Sequence, residues 1–236
     1  MKKLSIVAVL ILSLTSFGRS QVINGNGKLK KQVIEVAKFT HLQTFSCVNL
    51  IVSKAYDKVE IEADENLIAL IDIKNTEGVL TIKDANKVWF ESKNILKIYL
   101  PAQDLTRFEN FGSGNISFED ELQTPTLSFK NEGSGNINLR LSAEDFEFQD
   151  TGSGNISIEG QTQNLRLVLQ GSGNFNGKQL KTNDARIEMS GSGNAQVRCV
   201  DNMNVTISGT GNFGYLGKPK IFKQLNSTGK LFSIAD

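Results

Sequence analysis

Hydrophobic and polar residues alternate along most of the chain, and the alternation restarts at each copy of a glycine-rich tetrapeptide. The tetrapeptide is Gly-Ser-Gly-Asn at five positions and Gly-Thr-Gly-Asn at a sixth, and its copies begin at Gly112, Gly133, Gly152, Gly171, Gly191 and Gly209. Successive copies lie 21, 19, 19, 20 and 18 residues apart. A weaker Ser-Thr-Gly at 227–229 continues the series. A period near 20 residues predicts a repeat protein.

The residues that flank the tetrapeptides repeat in phase with them. The position four residues before the first glycine is always apolar: Phe108, Phe129, Phe148, Leu167, Ile187 and Val205. The position four residues after it is also apolar: Ile116, Ile137, Ile156, Phe175, Ala195 and Phe213. The intervening positions are mostly polar, and one such series is Ser117, Asn138, Ser157, Asn176 and Gln196. This alternation predicts strands with one buried face on both sides of each tetrapeptide.

Each repeat is therefore predicted to fold as a strand, a corner, a second strand and a polar loop. One unit cannot bury its apolar face alone, but copies stacked about 4.8 Å apart place like side chains over one another. We predict an all-β fold, a right-handed parallel β-helix (β-solenoid) with about 19–20 residues per turn. The alternative is an antiparallel meander with a hairpin at each tetrapeptide, whose second turns would be the loops at 119–126, 142–145 and 160–163.

The glycines and asparagines of the tetrapeptide are predicted to be structural turn residues. Glycine adopts backbone angles closed to other residues, and asparagine tolerates the left-handed region and hydrogen-bonds to nearby backbone. Stacked corners would align the serines and asparagines in ladders. The prediction covers Gly112, Gly114, Asn115, Gly133, Gly135, Asn136, Gly152, Gly154, Asn155, Gly171, Gly173, Asn174, Gly191, Gly193, Asn194, Gly209, Gly211 and Asn212. No phosphate or calcium site is expected, because no helix follows these glycines and calcium repeats supply Asp where this chain has Asn.

The other segments complete a division of the chain into four parts. Residues 21–110 lack the tetrapeptide and are predicted to form a β-rich segment that caps the solenoid or supplies its first irregular turns. Its candidate strands are 45–52, 58–63, 67–74, 79–83 and 95–100. Residues 111–217 form the repeat region, and residues 218–236 a C-terminal cap in which Lys218-Pro219-Lys220 would blunt the last strand edge. Residues 33–236 are expected to form one continuous domain.

The first 20 residues are typical of a secretory signal peptide. Lys2 and Lys3 precede an apolar stretch at 4–14, and small residues at 18–20 offer a cleavage point before Gln21. The stretch is shorter than the roughly 20 residues that span a bilayer. We therefore expect export to the periplasm, the cell surface or the medium, with no integral membrane segment after cleavage.

Composition and charge exclude several classes of function. The formal net charge is +1 and acidic and basic residues are interspersed, so nucleic acid is not expected as a partner. Cys47 and Cys199 lie in alternating apolar runs, and we expect buried, unpaired thiols, although export permits a disulfide. His41 is the only histidine, so neither a metal site nor a cofactor is predicted.

A carbohydrate-active enzyme is the main catalytic alternative. It would need two carboxylates across a cleft, and the loops supply Glu119, Asp120, Glu121, Glu144 and Asp145. A serine-based triad would depend on His41, and no nucleophile motif surrounds any serine. Trp89 and Phe90 are a candidate exposed aromatic pair, but a packed pair is the favoured interpretation and few other aromatics are expected to point outward. We predict no sugar-stacking platform and no catalytic residue.

The chain resembles the auto-transporter adhesin head GIN domain family of exported Bacteroidetes proteins, whose function is unknown. The resemblance rests on the segments 39–52, 59–67, 78–82 and 98–101 and on the Gly-Ser-Gly-Asn-Ile repeats that begin at Gly112, Gly133 and Gly152. It implies a β-helical fold and a cell-envelope or secreted location. It carries over no catalytic residue.

These features together predict an exported, non-catalytic, adhesin-like protein that presents a repetitive β-solenoid surface. The partner is unknown from the sequence, and a glycan or a surface protein is expected, bound on outward columns such as the one that begins at Ser117. The alternatives are a carbohydrate-active β-helix enzyme and a structural or assembly protein of the envelope that forms homo-oligomers.

Overall fold

The computed structural model describes residues 21–85, 88–102 and 104–235, so the predicted signal peptide lies outside the described residues. Strands make up 62% of the chain and helix 2%, which confirms the predicted all-β class. The elements are β1 (Gln21–Asn24), β2 (Leu29–Ile34), β3 (His41–Phe45), β4 (Asn49–Ser53), β5 (Val59–Asp64), α1 (Glu65–Ile68), β6 (Ile71–Thr76), β7 (Val79–Asp84), β8 (Val88–Glu91), β9 (Lys97–Pro101), β10 (Arg107–Asn110), β11 (Ile116–Phe118), β12 (Leu122–Asn131), β13 (Ile137–Asp150), β14 (Ile156–Leu169), β15 (Phe175–Met189), β16 (Ala195–Ile207), β17 (Phe213–Leu216), β18 (Lys220–Leu225) and β19 (Leu231–Ser233).

The repeats stack as parallel coils, about seven turns in all. Phe129 pairs in register with Phe148, and Phe148 with Leu167, so like positions lie directly over one another. The predicted parallel β-solenoid is confirmed, and the antiparallel meander is wrong for the repeat region. The resulting inner column contains Leu42, Phe108, Phe129, Phe148, Leu167, Ile187 and Val205, each at most 2% exposed. Each such side chain contributes on the order of 1.5–3 kcal/mol of gross burial free energy.

The polar loops predicted at 142–145 and 160–163 are paired strand, because β13 and β14 run through them without a break. The chain bends at these positions while its strands stay paired with the neighbouring coils. The buried hydroxyl of Thr162 donates to the carbonyl oxygens of Glu144 and Asn164, both at 3.1 Å, and thereby satisfies the inside of the bend. Thr124 and Thr182 donate in the same way to the carbonyl two residues ahead.

The first coil that the chain builds lies inside the stack. β3 and β4 pair in parallel with β10 and β11 on one side and with β7 and β9 on the other. The outer edges of β7 and β9 are occupied by the antiparallel strands β6 and β5, and β2 pairs with β5. The N-terminal end of the solenoid therefore has its strand edges covered.

Two of the candidate N-terminal strands need correction. The strand predicted at 45–52 is broken by a corner at 46–48, because the Asp84 carboxylate accepts hydrogen bonds from the Ser46 hydroxyl and the Cys47 amide. The strand predicted at 67–74 begins inside α1, and β6 starts only at Ile71.

Neither cysteine forms a disulfide. Cys199 is buried as expected, but the expectation for Cys47 is wrong, because this residue is exposed. Cys47 occupies the corner position that Ser113 has in the neighbouring coil: Gly112 and Gly114 pack on the carbonyl oxygens of Ser46 and Val48. Side chains at this corner position point outward. Within the ranges that the structure describes, no helix has the length and apolar character needed to span a bilayer.

Candidate functional site

The tetrapeptide corners stack into a column in which neighbouring coils touch. A Cβ atom at Gly133 would overlap the carbonyl oxygen of Gly112. The same overlap with the preceding coil occurs at every first and third position of the motif: Gly112, Gly114, Gly133, Gly135, Gly152, Gly154, Gly171, Gly173, Gly191, Gly193, Gly209 and Gly211. None of these glycines has a positive φ. Glycine is therefore needed for close approach, and the special backbone angles inferred from the sequence are not adopted.

The corner asparagines form a hydrogen-bonded ladder along the outside of the column. Asn115 Oδ1 accepts from the Asn136 amide at 2.9 Å, and Asn136 Oδ1 accepts from the Asn155 amide at 3.0 Å. The ladder continues through Asn174, Asn194 and Asn212 to Lys230. The corner serines are exposed and, in the part of the chain described, do not hydrogen-bond to one another.

A second polar ladder is buried behind the same corners. The Asn110 side chain donates to Asn131 Oδ1 at 2.7 Å, and the Asn131 side chain donates to Asp150 Oδ1 at 2.7 Å. Each Oδ1 also accepts from the glycine amide two residues ahead. Burial raises the pKa of Asp150, against the effect of these hydrogen bonds. Both ladders satisfy corner backbone, so they support the fold rather than form a ligand site.

A cleft of about 630 Å³ opens beside three consecutive corners. It is lined by Phe45, Cys47, Lys83, Asp84, Ala85, Trp89, Phe111, Gly112, Ser113, Glu132, Gly133 and Ser134, and we call it the aromatic cleft. The rings of Phe45 and Phe111 stack with centroids 4.8 Å apart and an interplanar angle of 11°. Trp89 is 62% exposed and Phe45 is 42% exposed. Three aromatic side chains thus present apolar surface to water in one place.

Two lysines hold the stacked rings from outside. The Lys83 Nζ lies 4.8 Å from the Phe45 ring centroid, and the Lys130 Nζ lies 5.6 Å from that of Phe111. Lys130 also pairs with Glu132, whose Oε1 lies 2.6 Å from the Nζ. Contacts between a cation and a ring face are attractive, so the aromatic surface is held in place before any ligand arrives.

The carboxylate of Asp84 fixes one wall of the cleft. It accepts from the Ser46 hydroxyl at 2.5 Å and from the Cys47 amide at 2.7 Å. Partial desolvation, the negative charge of Asp84 and a hydrogen bond to it together raise the pKa of the Cys47 thiol to about 12. The thiol is therefore protonated at neutral pH, which argues against a nucleophilic role.

The aromatic cleft overturns the expectation that no aromatic platform exists. Trp89 is the exposed member of its predicted pair, whereas Phe90 packs against the core. Phe111 directly precedes its corner, at a position that is Glu132 or Thr151 in later coils. Phe45 holds the same position before the corner at 46–48. The sequence feature that indicates the cleft is an aromatic residue at the outward-facing position directly before a corner. It is hard to recognise at Phe45 because the corner at 46–48 lacks glycine.

The carboxylates considered for catalysis are occupied by structural contacts or dispersed along the coils. Asp120 accepts from the Ser53 hydroxyl and from the Lys54 amide, and these bonds, the backbone one foremost, lower its pKa. Glu121 accepts from Gln123 on its own strand edge. Asp145 accepts from Asn164 in the next coil, and Glu119 and Glu144 are exposed.

His41 forms a polar cluster with Glu109 on the outer face of β3 and β10. The His41 Nε2 lies 3.0 Å from Glu109 Oε2, and Gln43 and Arg107 donate to the same carboxylate at 2.6 Å. Burial opposes ionisation of Glu109, but the bonds from Arg107, Gln43 and His41 outweigh it and lower the pKa to about 2. No serine, threonine or cysteine side chain within the described ranges hydrogen-bonds to His41, so no triad is formed there.

Two other outward surfaces are less suited to a ligand. The series Ser117, Asn138, Ser157, Asn176 and Gln196 does form one column in register. A groove of about 550 Å³ runs past Arg166 and Arg186, but both arginines are already engaged in ion pairs: both bind Glu188, and Arg166 also binds Glu147. Over the described residues, no group of three or more potential metal ligands is found.

Residues 38–219 match the family described as "Putative auto-transporter adhesin, head GIN domain". The chain belongs to this family. No curated protein matches the sequence. Among solved structures, a "putative adhesin" from Bacteroides fragilis is 23% identical, with a TM-score of 0.82 over 90% of this chain and 100% of that one.

Two proteins from Parabacteroides distasonis are similar to this head GIN chain as well. One is described as a "putative adhesin", with 20% identity and a TM-score of 0.68 over 91% of this chain and 100% of that one. The other is described as a "putative lipid binding protein", with 19% identity and a TM-score of 0.73 over the same shares. At these identities the likeness establishes the shared fold.

Proposed function

We propose that this head GIN protein is an exported, non-catalytic, adhesin-like protein that binds glycan chains in the aromatic cleft. Membership of an adhesin-named family supports the general class. The observation that carries the proposal is the exposure of Trp89 and Phe45 beside the half-buried Phe111 around one cleft.

The chemistry of the cleft favours a carbohydrate. Exposed aromatic rings leave apolar surface in water, at a cost of about 25 cal/mol per Å², which a ligand with an apolar face would recover. The C–H face of a pyranose ring is such a surface. It can stack on the exposed ring of Trp89, whereas the rings of Phe45 and Phe111 stack on each other and contact Lys83 and Lys130. Sugar hydroxyls need acceptors and donors at the edge of the stack. The carboxylates of Asp84 and Glu132 and the hydroxyls of Ser113 and Ser134 supply both.

Two observations support the absence of catalysis. The ionised carboxylate nearest to His41 is Glu109, whose low pKa suits a fixed charge and not a general acid. The cleft itself contains the carboxylate of Asp84, which is held by two corner hydrogen bonds, the carboxylate of Glu132, which is paired with Lys130, and a thiol that is protonated at neutral pH. A glycosidase would need a second carboxylate with a raised pKa across the substrate.

The test is binding of the purified chain to an array of bacterial and host glycans. Trp89→Ala and Phe111→Ala should each weaken binding about tenfold or more, as expected for aromatic residues at the centre of an interface. Phe222→Ala is the matched control, because Phe222 is an exposed aromatic residue outside the cleft, and it should bind like the wild type.

Three outcomes would contradict the proposal. An equal loss of glycan binding in Phe222→Ala would show that exposed aromatic residues bind glycans non-specifically. Capture of a protein ligand by the cleft, with no glycan bound, would assign the cleft to a protein partner. Release of shortened saccharides from a bound glycan, measured by mass spectrometry, would make the protein an enzyme.

A further inference from the structure

The last coil of the solenoid differs in charge from the coils that precede it. No Asp or Glu occurs from 202 to 235, and this stretch contains Lys218, Lys220, Lys223 and Lys230. All four lysines are exposed. The description of the chain as evenly mixed in charge is therefore wrong for residues 202–235, where every charged side chain is positive.

Apolar side chains are exposed on the same coil. Phe222 is 53% exposed, Leu225 41% and Phe232 44%. The Lys220 Nζ lies 5.1 Å from the Phe222 ring centroid, so basic and aromatic groups adjoin. Among the described residues, β18 pairs only with β16 and β19 pairs only with β17, so neither strand has a second partner. We call this surface, residues 218–234, the terminal patch.

A second copy of the chain is a poor occupant for the terminal patch. Lys223 pairs in register with Val205 and so places a lysine at the last layer of the apolar inner column. An inward charge on an edge strand disfavours further stacking of coils. Two terminal patches facing each other would also oppose their lysines. At the N-terminal end, the edges of the coil strands β7 and β9 are already occupied by the antiparallel strands β6 and β5.

We propose that the terminal patch docks on a phospholipid bilayer whose headgroups are anionic. Lysines attract an anionic membrane surface, and exposed aromatic and aliphatic side chains enter the boundary between headgroups and acyl chains. Binding strength at such an interface increases with the buried apolar area and with the electrostatic attraction to anionic lipids, and the terminal patch supplies both. The patch lies six coil spacings from the corner at Gly112, about 29 Å at roughly 4.8 Å per coil. A docked solenoid would therefore present the aromatic cleft away from the membrane.

The test is co-sedimentation of the purified chain with two kinds of vesicle, phosphatidylcholine alone and phosphatidylcholine mixed with phosphatidylglycerol. We expect binding to the mixed vesicles only, weakened by added salt because the attraction is screened. Changing all four lysines to Gln should reduce partitioning at least about tenfold. Phe222→Ser with Phe232→Ser should reduce it comparably, and Trp89→Ala should leave it unchanged.

Folding of every variant is checked by circular dichroism, and folding of the terminal-patch variants also by glycan binding, which reports the cleft at the other end. Equal binding to both vesicle types, no binding to either, or full binding by the lysine variant would overturn the proposal. So would a stable dimer of the wild type that dissociates in the Phe222→Ser, Phe232→Ser variant. Failure of the cleft to bind glycan would leave these results intact, because the two surfaces do not share residues.

Discussion

The side-chain amide of Asn131 donates to Oδ1 of Asp150 at 2.7 Å, deep inside a corner where Asp150 is only 2% exposed. Burial raises the pKa of Asp150, so the folded protein holds this proton more tightly than the unfolded chain. The protonated Asp150 side chain makes its full contribution to stability below the pKa of the unfolded state. This contribution is lost as the pH rises through the pKa of the folded state. At pH values above the unfolded pKa, this carboxyl group therefore lowers stability relative to an uncharged side chain of the same shape.

Asp150→Asn should therefore raise the unfolding midpoint at pH 7. The variant retains the Oδ1 that accepts from Asn131 and Gly152, and it removes the desolvated charge. The gain over the wild type should shrink as pH falls, and should vanish below 3.8, the ordinary pKa of an aspartate side chain. Thermal unfolding at several pH values measures it. A variant less stable than the wild type at pH 7 would show that the charge itself is required.

The corner glycines should be intolerant of even one carbon atom. A Cβ at Gly154 would overlap the Gly135 carbonyl, and its nearest neighbours are all backbone atoms, which cannot swing away. Gly154→Ala should destabilise the chain by about 1–3 kcal/mol, the usual cost of forced overpacking. Ser153→Ala, at the adjacent exposed position, should change stability by no more than about 0.5 kcal/mol. Urea denaturation compares the two, and equal effects would contradict contact between coils.

If side chains of the inner column stabilise one another, substitutions in neighbouring coils should have non-additive effects on the free energy of unfolding. The Phe148 ring lies 5.2 Å from that of Phe129 and 5.6 Å from that of Phe175, measured between centroids. Phe148→Ala should cost about 3–5 kcal/mol. In a double-mutant cycle with Phe129→Ala, the coupling should reach about 0.5 kcal/mol or more. Strictly additive losses would mean that the two rings do not stabilise each other.

The Cys47 thiol should react slowly although its residue is exposed. Its raised pKa, about 12, leaves little thiolate at pH 8. Asp84→Asn removes the nearby negative charge and keeps the side chain's shape. The rate of modification by a disulfide reagent should then rise about threefold to fourfold for each unit by which the pKa falls, because the larger thiolate fraction is partly offset by a lower nucleophilicity. Cys199 is buried and should stay unreactive in both forms. An unchanged rate at Cys47 would show that Asp84 does not control this thiol.

The repeat region could be predicted well because every outward and inward position recurs with the motif. Phe129, Phe148 and Leu167 identify one column from sequence alone, since a parallel stack in register places each of them over the same position of the neighbouring coil. The period also fixed the coil length. The role of the corner glycines could not be predicted from the sequence. They allow neighbouring coils to approach closely, and this contact exists only in the stack and cannot be inferred from a single repeat.

The N-terminal coils could be predicted only in part. The corner at 46–48 contains no glycine, so the coil formed by β3 and β4 has no visible motif, and the pattern predicts Phe45 as the first residue of a strand when it is the last residue of β3. This coil lies between coils that come later in the chain, because β3 pairs with β7 on one side and with β10 on the other. A local sequence pattern does not encode such long-range pairing. The aromatic cleft depends on that placement. The terminal patch, by contrast, could have been found by noting the missing acidic residues.

The aromatic cleft contains the only tryptophan of the chain, so its fluorescence reports the proposed binding directly. The most direct test is to titrate the purified protein with a glycan identified on the array and to record the emission of Trp89. Binding in the cleft should give a saturable change in emission that Phe222→Ala preserves and Phe111→Ala weakens about tenfold or more. A glycan that binds the protein and leaves the Trp89 emission unchanged would contradict binding in the aromatic cleft.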